Sequence, residues 1–313
     1  MTKKTLITRA AGYLAAALLL LCLGTPLASL AVHYPLHPSS APAPASAPLA
    51  EPPAVEPAGQ PETPPVATPP PSDQDKGLEV SADGPVYDTL TVDQRREENL
   101  PTALPATLPH YGDRIVYLTF DDGPDPANTP AVLNILSQAG VHATFFVVGT
   151  QAEKYPDILQ QIYNAGHAIG NHSYNHVYRD LYRSADAYTA QLRRTDDIIM
   201  KAVGVRPRIS RAPGGSAGSF TAEYWTALAA QGYREVGWNV ISGDASRADA
   251  PQLVANVVQQ LEARKYLWSH AIVLMHDGRG HGETVRALPD IIKYFKDRGF
   301  EFRVVNLETP PAW

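Results

Sequence analysis

Between residues 115 and 305 the chain alternates two kinds of apolar pattern. Short β-rich runs at 115–120, 143–148, 168–170, 208–210, 235–240, 271–275 and 302–305 read as strands. Between them lie longer stretches with apolar residues three and four apart. Val132, Leu133 and Leu136 within 129–139 show this spacing, and 155–165, 185–203, 221–231, 251–265 and 284–297 also read as helices. Gly140, Gly166, Gly204 and Gly232 stand just past four of these helices, where a left-handed cap ends a helix. Strands alternating with helices predict an α/β fold of parallel strands and crossover helices. About seven such units suit a barrel or a doubly wound sheet. The sequence has no internal repeat.

The chain before this region is patterned differently. Lys3, Lys4 and Arg9 precede an apolar run over 10–32, which reads as an export signal. The stretch 10–23 resembles a signal-peptide core, with Pro26 and a small-residue site at Ser29-Leu30-Ala31 behind it. Read to Val32 instead, the run is long enough for a transmembrane anchor at 1.5 Å per residue. Both readings place the rest of the chain outside the cytoplasm. Fourteen of the 29 prolines then fall between Pro35 and Pro71. Such chain favours extended polyproline II, and 33–75 could reach about 100 Å. Residues 76–110 are acidic and weakly patterned, with one short helix expected near 92–100. The expected organisation is therefore a signal or anchor at 1–32, a largely disordered linker at 33–110, and a folded domain at 111–313.

Composition sharpens this in three ways. With 44% hydrophobic residues the chain can build a core. The net charge of −6 gives no basic footprint, so no nucleic-acid partner is expected. Residues 111–313 hold 20 Lys and Arg against 21 Asp and Glu, so the acid excess belongs to the upstream chain. Cys22 is the only cysteine. It rules out an internal disulfide and leaves Asp and His to build any metal site. Leu19, Leu20 and Leu21 precede Cys22, so it reads as apolar filler and not as a lipidation site.

The candidate chemistry lies where predicted strands end. Asp121, His172, Arg211, Asp244 and His276 each come just after the C-terminal end of a strand, the rim on which parallel α/β folds collect reactive groups. The adjacent carboxylates of Asp121 and Asp122 repel when both are ionised, and a nearby cation resolves this. His172 and His176 add two imidazoles. Two His and one carboxylate leave a coordination position open, as catalytic zinc sites do.

Thr119-Phe-Asp-Asp-Gly-Pro124 followed by His172-Ser-Tyr-Asn-His176 resembles the polysaccharide deacetylases with the NodB homology domain, carbohydrate esterase family 4. Arg211-Ala-Pro-Gly-Gly215, Trp238-Asn-Val-Ile-Ser-Gly-Asp244 and Leu274-Met-His276 resemble three further motifs, in the family's order. The resemblance covers about 115–306 and implies a distorted (β/α) barrel of seven or eight units. It implies that Asp122, His172 and His176 bind a metal, zinc or else cobalt, nickel or manganese, which the same ligands suit. It makes Asp121 the base and His276 the acid, oriented by Arg211 and Asp244. The Gly214 N–H would bind an oxyanion, and Leu274 and Trp238 would touch substrate.

Two departures from the family pattern bear on substrate shape. Gly214 stands where an aromatic is usual, and Ile241-Ser-Gly-Asp244-Ala245 lacks the first Asp and the Trp of the fourth motif. Tyr174, Tyr178, Tyr182 and Trp238 are possible sugar-stacking residues, with core the favoured reading for Trp238. His281 reads as a solvated loop residue, and His142 and His167 as structural. The expected function is metal-dependent removal of N-acetyl groups from a glycan outside the cytoplasm, above all GlcNAc of peptidoglycan, by a monomer. The alternatives are an O-acetyl esterase of the xylan type, a chitooligosaccharide deacetylase, or a non-catalytic wall-binding module.

Overall fold

Two short strands and a helix come first among the described residues: β1 (Leu78–Val80), β2 (Val86–Asp88) and α1 (Val92–Glu97). The computed structural model describes residues 76–80 and 84–312. The expected export segment and the spacer at 33–75 lie outside these residues. Among the described residues no helix is long and apolar enough to cross a membrane.

The expectation of a linker as far as residue 110 is corrected by the packing of β2 and α1. β2 pairs with β6 (Arg206–Pro207), so this segment is built onto the domain. Asp88 is fully buried and meets three arginines. Arg95 Nε donates to it at 2.5 Å and Arg206 Nη2 at 3.1 Å, and Arg208 Nη1 also donates. Thr91 caps α1 in a reciprocal box with Gln94. A scan for hydrophobic period passes over this segment because ion pairs hold much of it. Asp88→Asn leaves three buried guanidiniums short of their counter-charge and should cost about 3–5 kcal/mol of unfolding free energy. Urea denaturation checks this, and a loss below about 1 kcal/mol would show that the cluster is not a brace.

The alternating region comprises β3 (Ile115–Asp121), α2 (Asn128–Ala139), β4 (Thr144–Val147), α3 (Gly149–Lys154), α4 (Pro156–Asn164) and β5 (Ala168–Asn171). Next come α5 (Tyr178–Leu181), α6 (Ala185–Val203), β6, β7 (Ile209–Ser210), α7 (Ala222–Gln231), β8 (Arg234–Glu235) and β9 (Val240–Ile241). The chain closes with α8 (Ala250–Ala263), β10 (Ala271–His276), α9 (Gly282–Asp297) and β11 (Glu301–Phe302). α6 covers the predicted range. Ser184 accepts from the Ala187 N–H at its start, and Gly204 (φ +80°) turns left-handed at its end.

The main sheet is parallel in every pairing, in the order β8-β7-β5-β4-β3-β10-β9, with β11 added to the N-terminal half of β3. This is the expected α/β fold, but the barrel is not closed. The edge strands β8 and β9 do not pair with each other, and the sheet is a curled half-barrel. The predicted strand 235–240 is split into these two edges. Arg211 takes the carbonyls of Val236 and Gly237 at 3.0 and 2.9 Å, so this stretch serves a side chain instead of a ladder.

Alternation along the strands sorts the core from the site. Val116, Leu118 and Phe120 of β3, with Val273 and Met275 of β10, join the large core. Ile115, Tyr117, Phe146, Ile209, Val236 and Ile272 form a smaller cluster on the other face. Side chains two residues apart share a face. Asp121 therefore continues the face of Tyr117, Arg211 that of Ile209, and Leu274 and His276 that of Ile272. The concave face is apolar at its base and reactive at its C-terminal rim.

Candidate active site

β3 and β10 are neighbours in register, with His276 opposite Asp121. Parallel strands lie about 4.8 Å apart, so topology alone brings these two residues together. Two groups form around them.

Arg211 holds the first group. Its guanidinium is fully buried and donates to Asp121 Oδ1 at 3.0 Å and to Thr119 Oγ1 at 2.7 Å. Its charged face lies 4.2 Å from the Phe146 ring centroid. Burial raises the Asp121 carboxyl above its usual range, and the Arg211 charge works against that rise. Asp122 is held by a tight turn with φ +75°. Gly123 beside it is required, because a Cβ there would collide with the Asp277 carboxylate.

Asp122, His172 and His176 converge. Asp122 Oδ1 lies 3.6 Å from His172 Nε2 and 3.4 Å from His176 Nε2. His172 Nδ1 lies 2.8 Å from the Arg211 carbonyl, which can only accept. The proton therefore sits on Nδ1, and Nε2 turns a lone pair towards Asp122. Burial pushes the His172 pKa down to about 3, so the ring stays neutral. Asp122 Oδ1 is buried and has no hydrogen-bond partner among the described residues. A carboxylate oxygen without a donor, facing a neutral imidazole lone pair, fits a divalent cation. All three donor atoms lie within 4.8 Å of one another, and the partial exposure of Asp122 and His176 leaves an open side.

The second group is Asp244 with His276. Asp244 accepts from the His276 N–H at 2.6 Å, from His276 Nδ1 at 2.8 Å and from Thr284 Oγ1 at 2.7 Å. Burial opposes charge on Asp244, yet these bonds hold its carboxyl below the usual range. Burial likewise opposes the His276 cation, but the Asp244 bond and the Asp121 charge outweigh it and push its pKa up to about 9. The two groups thus set the Asp121 carboxyl, bonded to Arg211, against the His276 imidazole, bonded to Asp244, across neighbouring strands. This is the division that general base and general acid require.

The remaining predicted residues take different places around this pair. Gly214 is exposed, and its N–H makes no hydrogen bond among the described residues. Leu274 is buried on the His276 face of β10 and belongs to no core cluster. Trp238 packs against the smaller core cluster and lies over Arg211 at 5.6 Å, in line with the core reading. His281 differs from expectation. Its ring stacks on His276 at 4.9 Å, with Nδ1 3.8 Å from Asp244 Oδ2. Asp277 is not distinguished by the sequence pattern: it is fully buried, its pKa is raised by burial to about 7, and its Oδ2 accepts from Thr129 Oγ1 at 2.5 Å. Thr119, the first residue of the first motif, has no role from the sequence, and its place two residues before Asp121 puts it on the same face, where it accepts from Arg211.

Residues 109–236 match the family described as polysaccharide deacetylase. A chitooligosaccharide deacetylase of Bradyrhizobium sp. (strain ANU 289) is 35% identical, over 61% of this chain and 91% of that protein. A peptidoglycan-N-acetylglucosamine deacetylase of Bacillus cereus is 30% identical, over 63% of this chain and 71% of that protein. The structure of a Streptococcus mutans CE4 esterase superposes with a TM-score of 0.59 at 33% identity, covering 66% of this chain and 99% of that one. The curled sheet, the rim residues and these likenesses agree: the chain belongs to the polysaccharide deacetylase family, the hydrolases of carbohydrate esterase family 4.

Proposed function

We propose that this protein removes N-acetyl groups from a glycan outside the cytoplasm, and that the glycan is peptidoglycan, at GlcNAc. The observation that carries the reading is the pairing of Asp121 with Arg211 and of His276 with Asp244 at the rim. Arg211 keeps Asp121 available as a base, and Asp244 keeps His276 protonated, beside three converging metal-ligand atoms.

Asp122, His172 and His176 would hold the cation, zinc first among zinc, cobalt, nickel and manganese. When bound it supplies Lewis acidity, which makes water a nucleophile near neutral pH and favours negative charge on the carbonyl oxygen. Asp121 accepts a proton from the attacking water. The Gly214 N–H donates to the oxygen that becomes negative. His276 then gives its proton to the nitrogen as the carbon–nitrogen bond breaks, since an amine leaves poorly unless protonated. Leu274 offers an apolar surface for the acetyl methyl group. The products are acetate and a free sugar amine.

Peptidoglycan is favoured over soluble oligosaccharides by the basic-then-apolar N-terminus and the proline-rich stretch behind it. Residues 1–32 would export or anchor the protein, and 33–75 would carry the domain away from the membrane. The test is acetate release from purified cell-wall glycan, with mass spectrometry of the muropeptides. Wild-type protein with zinc should give acetate and free amine in equal amounts. Chelation should abolish both, and Asp122→Ala should prevent their recovery when zinc returns. Acetate without amine would identify an ester substrate, and glycan binding without turnover would identify a binding module.

A further inference from the structure

Gly214 lacks a side chain where the family pattern has an aromatic, and a residue from another element occupies that space. A Cβ at Gly214 would meet Tyr178 Oη at 2.6 Å and Cζ at 3.1 Å. Gly214 also has φ +73°, which disfavours any side chain. Tyr178 begins α5, two residues past His176. Its ring lies 5.5 Å from that of His176 and packs edge-on to Tyr182 at 5.8 Å. Tyr182 is fixed in turn, its Oη donating to the Pro213 carbonyl at 2.6 Å. The Tyr178 ring is thus positioned from both sides, between a metal-ligand candidate and the 213–214 turn.

Its other surface is open. Tyr178 is 51% exposed, and its hydroxyl makes no hydrogen bond among the described residues. Packing alone does not call for a fixed, half-open aromatic with a free donor at the rim of a site. A sugar does, because it offers an apolar C–H face to a ring and oxygens to a hydroxyl.

We propose that Tyr178 contacts the substrate in place of the side chain missing at 214, its ring walling the glycan groove and its hydroxyl donating to an oxygen of the N-acetylated sugar. The proposal rests on the deacetylase function proposed for the rim and adds a specificity-determining residue to it. The family motif does not supply that residue at this position.

The test uses the full chain and a GlcNAc tetramer. With zinc bound, Tyr178→Ala should raise KM about tenfold with little change in kcat, the loss of one ring contact and one hydrogen bond together. Tyr178→Phe, which keeps the ring, should raise KM about threefold. Calorimetric titration of the tetramer into chelator-treated protein should show the same weakening, independent of turnover. Unchanged KM and tetramer affinity in Tyr178→Ala would overturn the contact while leaving a working deacetylase in place. A wild-type protein that binds the tetramer through Tyr178 without releasing acetate would overturn the deacetylase reading alone.

Discussion

Asp121→Asn should lower kcat about 10³-fold, within the range that a positioned general base contributes. The substitution keeps the shape of the side chain and an oxygen for Arg211 Nη1, which bonds Oδ1 at 3.0 Å in the wild type. It removes the ability to accept the proton of the attacking water. Asp122, His172 and His176 are untouched, so zinc affinity measured by calorimetry should stay within a few-fold of wild type. The loss of charge beside the buried Arg211 should also lower stability, and circular dichroism must show folded protein at the assay temperature. A kcat within tenfold of wild type would remove Asp121 from the role of base.

Asp244→Asn should shift the basic limb of the pH–rate profile downwards by more than one unit and lower kcat at pH 7 about 10²-fold. The acid must be protonated, so its contribution is present below the His276 pKa and disappears as pH rises through it. Asp244 is a principal reason that this pKa stands at about 9 and not lower. Without its charge, burial is opposed only by the Asp121 and Asp122 charges, and the neutral ring gains. A cation held by Asp122 would itself lower the His276 pKa, so the comparison must be made between variants carrying the same metal. The same shift has a stability consequence. The folded pKa is raised from 6.5, so the stabilisation is fully present below about 6.5 and is lost as pH rises through about 9. Unfolding free energy should therefore fall over that window in wild type and stay flatter in Asp244→Asn. A basic limb at the same pH in both proteins would show that Asp244 does not tune the acid.

Much of this site is legible because its residues sit at strand ends, and strand ends are marked in sequence by the change from apolar runs to turn residues. Asp121, His172, Arg211 and His276 are recognisable in this way. Parallel pairing then brings them together without any contact being known. The curl of the sheet is less legible. Whether Val236 and Gly237 offer their carbonyls to a neighbouring strand or to Arg211 is not distinguished by a hydrophobic pattern. The place of His281 escapes the sequence pattern for a related reason. Its ring contact with His276 spans the short β10–α9 connection, and such a contact leaves no periodic trace. The Asp88 cluster is hidden because ion pairs replace the apolar stripe that marks a packed segment.

That cluster also determines how the domain bears load. Any tension arriving from the N-terminal chain reaches β2 before β3. There it must break the bonds from Arg95, Arg206 and Arg208 to one carboxylate before it can act on the strand that carries Asp121. Asp88 thus acts like the clamp on a cable: a pull on the chain ahead of β2 meets three buried ion pairs before it meets the rim.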